Sequence, residues 1–441
     1  MIAKARAAAF EILLKISTTG AHSDELLRSP QVDALSVQDR ALATTLVMGT
    51  LRWQLRLDAH IRPLLSRPGA KLPPAVETAL RLGAYQLQYL DRIPPHAAIG
   101  ESVELAKRAG ETFAAGLVNA VLRKLASILK KATGKESLAE EYAHPAWMVE
   151  RWIRNYGRHA TRALCAFDQE PAGVCVRLLH PDAEQALTEA DVELAPGEFL
   201  PAARRVVRGD VVGSEAFRRG WVRIQDEGSQ LVAELAGHGE RILDTCAAPG
   251  GKTAILAERN AKARILAFDV SKRRLDAMRR LLAPLGERVQ YDVRDVTATR
   301  LAADYDLVLC DVPCTGTGTI ARNPEIRFRI NEEEIARQHH RQVRILSAAL
   351  DGVASGGRLL YSTCSLEPEE NESVVAEVLE KLPEFHLASM EDRVPQLGSE
   401  GVIHAAGLER LRTHALKDGF LRTLPGTMQC DGFFAAFVTR D

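Results

Sequence analysis

The spacing of apolar residues divides the chain into three parts. Up to about residue 132, apolar positions recur every three or four residues, as in the stretches 3–16 and 76–87, a period typical of amphipathic helices. Ser36 is placed to cap a second helix, with Asp39 in its first turn. Further helices are predicted at 97–108 and 111–131. We therefore predict an all-helical domain over residues 1–135, with residues 130–135 as a linker.

The middle part, residues 136–225, mixes the two periods. A helix is predicted around residues 145–156, and short β-type runs follow at 174–179, 205–207 and 222–224, separated by glycine and proline. This pattern predicts a small α+β module. Its arginines could line a path for phosphates or form an exposed basic surface; they are Arg204, Arg205, Arg208, Arg218, Arg219 and Arg223.

From residue 226 onwards, apolar strands alternate with helical segments. Strands are predicted at 241–245, 265–270, 289–291, 307–311 and 358–362, and a late strand at 431–438. Helices are predicted at 253–258, 273–285 and 332–350. This alternation is typical of a doubly wound parallel sheet, so we predict a Rossmann-like α/β domain over residues 226–441.

Composition places the chain among globular proteins, with 46% hydrophobic and 26% charged residues. No run approaches the ~18 apolar residues of a membrane span, and the N-terminal residues lack the apolar core of a signal peptide, so we expect a cytoplasmic protein. The net charge is −1, yet residues 1–135 hold 19 lysines and arginines against 11 aspartates and glutamates, a balance of +8. Such asymmetry predicts that the helical domain binds a polyanion such as RNA. A solvated helical surface would carry the same charges.

A glycine-rich turn, D-T-C-A-A-P-G-G-K at residues 244–252, follows the first predicted strand of the α/β domain. Open α/β sheets bind ligands at this end of their strands, and Gly250 and Gly251 allow close approach of the backbone. The turn matches neither G-x-G-x-x-G nor the P-loop G-x-x-x-x-G-K, which disfavours NAD and ATP. S-adenosylmethionine (AdoMet) fits the position.

Three aspartates, Asp244, Asp269 and Asp292, stand at the ends of successive strands beside this turn. Asp269 is placed to accept hydrogen bonds from ribose hydroxyls. Asp292 could accept from an adenine amino group, and Asp295, three residues further on, is an alternative.

Two of the seven cysteines follow predicted strands, Cys314 in D-V-P-C-T-G-T-G-T and Cys364 in Y-S-T-C-S. None of the seven has C-x-x-C spacing, so we expect neither a zinc site nor a disulfide framework, and no metal. A parallel sheet would bring Cys314 and Cys364 to the same edge, beside Asp311.

Methylation of a pyrimidine at C5 is a reaction that would use two thiols at the same edge of the sheet. A thiolate that adds to C6 makes C5 nucleophilic enough to accept a methyl group. Asp311 is placed to stabilise the adduct near N3, and a second group must assist release. Cys364 as nucleophile and Cys314 as the residue that assists release satisfy this division.

These motifs resemble those of the RNA cytosine-C5 methyltransferase family, most closely its bacterial 16S ribosomal RNA enzymes of the Sun (RsmB) type. The similar segments are C-A-A-P-G-G-K (246–252), P-C-x-G-x-G (313–318) and T-C-S with its P-E-E-N tail (368–371). In the first third, G-T-L-R-W (49–53), L-G-A-Y-Q (82–86) and V-N-A-V-L-R (118–123) are similar to the NusB-like domain of these enzymes. Asn323-Pro324-Glu325 stands where His-Pro-Asp is more usual.

The resemblance implies an AdoMet-dependent rRNA methyltransferase that attacks cytosine with Cys364 and uses Cys314 and Asp311 beside it. The substrate would be 16S rRNA, free or in an assembling small subunit, and the enzyme a monomer. A tRNA methyltransferase, a small-molecule methyltransferase and a non-catalytic RNA-binding factor are the alternatives. The implied AdoMet contacts are Cys246, Ala247, Ala248, Pro249, Gly250, Gly251, Lys252, Asp269, Asp292 and Asp311.

Overall fold

The computed structural model describes residues 2–128, 136–298 and 300–441. The chain forms two compact units. Residues 1–171 and 320–329 make up the first, which we call the helical unit, and residues 172–319 and 330–441 make up the second, the sheet unit. The predicted linker at 130–135 lies outside the described residues.

The helical unit is built around a leucine-rich core. Leu46, Leu57, Leu80, Leu82 and Leu122 are completely buried in it. The predicted cap is confirmed, since the Ser36 hydroxyl accepts a hydrogen bond from the amide of Asp39 at 3.1 Å. The helices are α1 (Lys4–Thr19), α2 (Ser23–Leu27), α3 (Pro30–Asp33), α4 (Val37–Ile61), α5 (Pro74–Tyr89), α6 (Pro95–Arg108), α7 (Ala115–Ile128), α8 (Leu138–Glu141) and α9 (Ala146–Phe167).

The helical unit extends to residue 171, beyond the boundary predicted at residue 135. A buried polar cluster accounts for the difference. Arg327 donates to the carbonyl oxygens of Arg52 (3.2 Å) and Ala143 (3.0 Å), and His144 Nε2 lies 3.1 Å from Asp168 Oδ2. Burial raises the pKa of Asp168 to about 7 and lowers that of Arg327 to about 10. Groups this buried need one another as partners, so α8 and α9 stay with the helical unit.

The segment 320–329 directly follows the Cys314 motif (311–319) in sequence but belongs to the helical unit. Glu325, which stands where aspartate is more usual, is buried and accepts hydrogen bonds from the Ser23 amide (2.8 Å) and hydroxyl (3.0 Å). Arg329 donates to the carbonyl oxygen of Ala21 at 2.7 Å. The alternation of apolar residues gave no sign of this arrangement.

Residues 174–224, all of them described, form a four-stranded antiparallel sheet in the order β2-β3-β1-β4. Its elements are β1 (Val174–Leu178), α10 (Ala183–Glu189), β2 (Glu193–Pro196), β3 (Ala203–Arg208), α11 (Glu215–Arg218) and β4 (Val222–Ile224). Five of the six arginines named above form ion pairs with carboxylates of the sheet unit. Arg204 pairs with Glu184, Arg208 with Glu193, Arg218 and Arg219 with Glu215, and Arg223 with Glu258.

The rest of the sheet unit confirms the predicted α/β fold. Strands β9-β8-β5-β6-β7 are parallel, and the late strand β13 pairs antiparallel with β9, so the complete sheet is mixed rather than purely parallel. The elements are α12 (Glu227–Ala236), β5 (Arg241–Asp244), α13 (Gly251–Arg259), β6 (Arg264–Asp269), α14 (Lys272–Leu281), β7 (Val289–Val293), β8 (Tyr305–Asp311), α15 (Ile326–Arg329, in the helical unit), α16 (Glu332–Leu350), β9 (Val353–Thr363), α17 (Glu372–Lys381), β10 (Phe385–Ala388), α18 (Met390–Ser399), α19 (Ala405–His414), β11 (Leu416–Lys417), β12 (Phe420–Thr423) and β13 (Phe433–Arg440).

Helix α14 is shorter than the predicted helix 273–285. The helix stops at Leu281, and a 3-10 turn containing Pro284 and Gly286 follows. Gly286 has a φ of 59°, which is not helical. No helix in the described part of the chain is both long and apolar enough to span a membrane.

Replacing Gly49 by alanine should destabilise the helical unit. A Cβ atom there would lie 1.9 Å from Cζ of the buried Tyr85, so α4 or the tyrosine ring must move, at a cost of about 1–3 kcal/mol. Gly100→Ala in α6 is the matched control, because a Cβ at Gly100 meets nothing within 4 Å and gains up to ~1 kcal/mol of helix propensity. Hydrogen exchange of α4 and α5 peptides should speed up in Gly49→Ala alone. Equal exchange in both variants would contradict the packing described here.

Candidate active site

The turn after β5 is held by the packing of Gly250 against Met278 and by a hydrogen bond between Thr253 and Asp244. Gly250 has a φ of 104° and immediately precedes α13. A Cβ at Gly250 would lie 2.6 Å from Met278 Cγ, so glycine is needed both for conformation and for space. At the start of α13, the Thr253 hydroxyl donates to Asp244 Oδ2 at 2.7 Å. Burial raises the pKa of Asp244 to about 7. These contacts fix the first amides of α13 at the carboxyl end of the sheet.

Asp269, at the end of β6, ties the turn to the neighbouring strand. One carboxylate oxygen accepts from the Ala248 amide at 3.2 Å, and the other accepts from the Ser271 amide at 2.8 Å. Arg274 lies 3.6 Å from the same carboxylate and also donates to the carbonyl oxygen of Ala248. The side chain predicted to bind ribose is therefore already oriented by the protein.

A cavity of about 400 Å³ opens beside this turn. Of the predicted cofactor residues, Cys246, Ala248, Asp269 and Asp311 line it, whereas Ala247, Pro249, Gly250, Gly251, Lys252 and Asp292 do not. The complete lining is Thr245, Cys246, Ala248, Asp269, Val270, Arg274, Arg294, Asp295, Val296, Thr297, Asp311, Val312, Pro313, Arg341, Arg344 and Ile345.

The structure separates the two candidates for an adenine contact. Asp292 forms an ion pair with Arg294 at 2.6 Å and is absent from the cavity wall. Asp295 lines the cavity, and one of its oxygens accepts from the Thr297 amide (2.9 Å) and hydroxyl (2.8 Å). Of the two, Asp295 is the one that lines the cavity.

The two cysteines meet at the end of adjacent strands. Strands β8 and β9 are parallel, with Asp311 aligned to Ser362, so Cys314 and Cys364 follow strand ends that lie side by side. Their sulfur atoms are 3.3 Å apart. The hydrogen bond with Cys364 and burial raise the pKa of Cys314 well above its ordinary value. Cys314 therefore remains a thiol and can donate to the Cys364 sulfur.

Lys252 belongs to the cofactor motif, yet its side chain reaches the cysteine site. Its ammonium lies 2.7 Å from Asp311 Oδ2, and the other Asp311 oxygen accepts from the Ser362 hydroxyl at 2.6 Å. Burial alone would lower the pKa of Lys252, but the charges of Asp311 and Cys364 outweigh it and raise the pKa. Lys252 thus places a positive charge at the strand ends from which both cysteines follow.

A buried carboxylate, Glu370 of the P-E-E-N tail, joins the two cysteine loops. It accepts hydrogen bonds from the Thr315 amide (2.9 Å) and hydroxyl, from the Ser365 hydroxyl and from Gln342 Nε2 (2.9 Å). Gln342 also donates to the carbonyl oxygen of Pro313 at 3.0 Å. Sequence reasoning recognised this tail as a motif but gave Glu370 and Gln342 no role, since their partners lie 28 and 55 residues away.

Four further cysteines do not line the cavity. Cys165, Cys175, Cys310 and Cys430 are buried, and burial raises the pKa of Cys310 to about 12. Within the described residues, His, Cys, Asp and Glu side chains form no group of three or more suited to hold a metal ion.

Comparisons with known proteins agree with the two-part organisation. The model of the 16S rRNA methyltransferase RsmB/F family matches residues 234–439, and that of the NusB family matches residues 3–127. A Bacillus subtilis (strain 168) protein named probable ribosomal RNA small subunit methyltransferase B is 33% identical, covering 97% of this chain and 96% of that protein. Ribosomal RNA small subunit methyltransferase B of Yersinia enterocolitica is 34% identical over 84% of this chain and 89% of its own length.

Among solved structures, the fold is similar to that of PH0851. The TM-score is 0.81, and the match covers 100% of this chain and 99% of that one at 24% identity, a level that bears on the fold alone. The full-length relatives establish an RNA methyltransferase and remove the non-catalytic RNA-binding factor from the alternatives. The chain belongs to the RsmB/F family of 16S rRNA methyltransferases, in the Sun (RsmB) type that joins a NusB-family domain to the methyltransferase domain.

Proposed function

We propose that the chain transfers a methyl group from AdoMet to C5 of a cytosine in 16S ribosomal RNA. The observation that carries this proposal is the pair of thiols, Cys314 and Cys364, with sulfur atoms 3.3 Å apart beside the strand-end cavity. Methylation of an exposed nitrogen or oxygen needs no thiol. Methylation of C5 needs a nucleophile at C6 and a second group for release, and two adjacent cysteines meet that need.

The cavity fits AdoMet in size and chemistry. Its volume of about 400 Å³ lies within the range of roughly 300–1,000 Å³ usual for cofactor sites. Asp269 and Asp295 supply acceptors for hydroxyl and amino groups, and Val270 and Ile345 supply apolar walls. When bound, AdoMet would supply an electrophilic methyl group.

The protein groups then act on the pyrimidine in a fixed order. The Cys364 thiolate adds to C6, and the electrons of the C5–C6 double bond move to C5. The Lys252–Asp311 pair, joined at 2.7 Å, holds the proton that stabilises the adduct at N3. After C5 is methylated, a water molecule takes the C5 proton, the C5–H electrons re-form the C5–C6 double bond, and the C6–S electron pair leaves with Cys364 as a thiolate. Cys314, still a thiol, assists by donating to the departing Cys364 sulfur.

The helical unit is proposed to bind the RNA. The +8 balance over residues 1–135 suits phosphate contacts, which position a nucleic acid without selecting a base. The substrate is 16S rRNA, free or in an assembling small subunit, and the enzyme acts as a monomer. A small molecule as methyl acceptor would not need the basic helical domain, and the match to the 16S rRNA methyltransferase family disfavours a tRNA acceptor.

Cys364→Ser should abolish methyl transfer and leave AdoMet binding within about twofold of the wild type, because the residue acts on the base rather than the cofactor. Incorporation of tritium from labelled AdoMet into 16S rRNA measures the first effect, and calorimetry measures the second. Cys430→Ser, which changes a buried cysteine outside the cavity lining, is the control. Sustained turnover by Cys364→Ser would refute the adduct mechanism.

Cys314→Ala should form the C6 adduct but release RNA slowly, since the donor to the leaving sulfur is gone. A protein–RNA complex that survives denaturing electrophoresis should therefore accumulate. The Cys314→Ala/Cys364→Ala double variant should form none. A stable complex in the double variant would show that another residue attacks the base.

Asp295→Asn should weaken AdoMet binding about 10- to 100-fold, the loss expected for a hydrogen bond to a charged group worth ~1.5–3 kcal/mol. Asp292→Asn is the matched control, because Asp292 pairs with Arg294 and does not line the cavity. Calorimetry on both variants decides between them. A larger loss in Asp292→Asn would restore Asp292 as the adenine contact.

A further inference from the structure

Glu370 stands out as a buried carboxylate whose described hydrogen bonds come from neutral donors. Glu370 is completely buried, with an exposed fraction of 0%. Its hydrogen-bond donors are the backbone amide and hydroxyl of Thr315, the hydroxyl of Ser365 and the side-chain amide of Gln342. Burial raises its pKa, which reflects the cost of holding a charge away from water. A carboxylate kept at such a cost has a task that an apolar residue could not perform.

The partners of Glu370 have one property in common: they sit next to the reactive residues. Thr315 directly follows Cys314, and Ser365 directly follows Cys364. Gln342 connects the same carboxylate to the carbonyl oxygen of Pro313, on the other side of Cys314. One side chain thus holds the backbone beside both thiols.

The backbone of this tail is itself anchored to β9. The Tyr361 hydroxyl donates to the Glu370 carbonyl oxygen at 2.7 Å, and the Thr363 hydroxyl donates to Asn371 Oδ1 at 2.6 Å. Asn371 Nδ2 in turn donates to the carbonyl oxygen of Ser365 at 2.9 Å. The Glu370 carboxylate is therefore a fixed point from which both loops are positioned.

The two carboxylate oxygens divide their donors by type. Oε1 accepts from the Thr315 amide and from Gln342, two N–H donors that cannot reverse. Oε2 accepts from the hydroxyls of Thr315 and Ser365, which can rotate and become acceptors. A glutamine at this position can keep its oxygen on the first pair and donate to the second, whereas a leucine satisfies none of them.

We propose that Glu370 is the positioning residue that sets the distance between the Cys314 and Cys364 thiols, through its hydrogen bonds to Thr315 and Ser365. Its importance for methyl transfer rests on the function proposed above, but its control of the thiol pair does not. Release of the product depends on that control, because the Cys314 thiol must lie beside the departing Cys364 sulfur.

The thiol distance can be measured without the methylation reaction. Diamide takes two electrons and two protons from a pair of neighbouring thiols and leaves a disulfide, so its rate with Cys314 and Cys364 reports their proximity. Mass spectrometry of the joined peptides follows this rate in the full-length protein. We expect Glu370→Leu to slow cross-linking at least tenfold and Glu370→Gln to lie between Glu370→Leu and the wild type.

Turnover should follow the same order. A displacement of about 1 Å at reacting groups costs on the order of 100-fold in rate, so Glu370→Leu should lose about that much kcat with KM for rRNA within about threefold. Glu370→Gln should recover a large part of kcat. If the carboxylate acted as a base instead, Glu370→Gln would be as inactive as Glu370→Leu while its thiols cross-linked at the wild-type rate, and the proposal would be overturned.

Glu227 provides a matched control in the same unit. Its buried carboxylate accepts from the amides of Glu198 (2.7 Å), Phe199 (2.7 Å) and Leu200 (2.9 Å), and burial raises its pKa too. Glu227→Leu should lower stability as Glu370→Leu does but leave the cross-linking rate unchanged. Equal slowing in both would mean that the effect is general loosening of the fold, against the proposal.

Smaller substitutions keep the test valid if Glu370→Leu does not fold. Thr315→Val and Ser365→Ala each remove one hydroxyl partner, and each should slow cross-linking, with a larger effect in the double variant. Wild-type cross-linking in that double variant and in Glu370→Gln would overturn the proposal. If Glu370 controls cross-linking while the wild-type protein does not methylate C5 of a cytosine in 16S rRNA, the failure belongs to the proposed function alone.

Discussion

The parallel pairing of β8 with β9 is the constraint on which the site depends. Because Asp311 is in register with Ser362, strands β8 and β9 end at the same level of the sheet and run in the same direction. This register places a carboxylate beside a serine hydroxyl that orients it, and it leaves each cysteine only a short distance to reach the other. A slip of one residue would turn every side chain of the strand to the opposite face of the sheet and separate these groups.

Local sequence was sufficient to predict the features that depend on neighbouring residues. The strands that end at Asp244, Asp269 and Asp311 were found because buried parallel strands are short apolar runs, and the cysteines were found because they follow such runs. The choice between Asp292 and Asp295 was beyond this reasoning, since both follow the same strand. Only the cavity wall separates them.

Interactions between distant residues were not predictable in this way. The carboxylate of Glu370 acts on Thr315, 55 residues earlier, and nothing in its own surroundings indicates that partner. The same holds for Arg327, whose acceptor on Arg52 lies 275 positions away. The predicted boundary at residue 135 followed a polar stretch, which marks a loop, whereas the extent of the unit is set by where buried polar groups find partners.

The membership of residues 320–329 in the helical unit has a consequence for synthesis on the ribosome. Helices α1–α9 are complete when residue 171 has emerged. The carbonyl oxygens of Arg52 and Ala143 still lack their donor, Arg327, until about 150 further residues have been added. At ~5–20 residues per second, that interval lasts on the order of 10–30 s. Throughout it, Asp168 lacks the charge that the finished protein places beside it. The buried polar cluster of the helical unit is thus completed only after β8 and the Cys314 motif (311–319) have been synthesised.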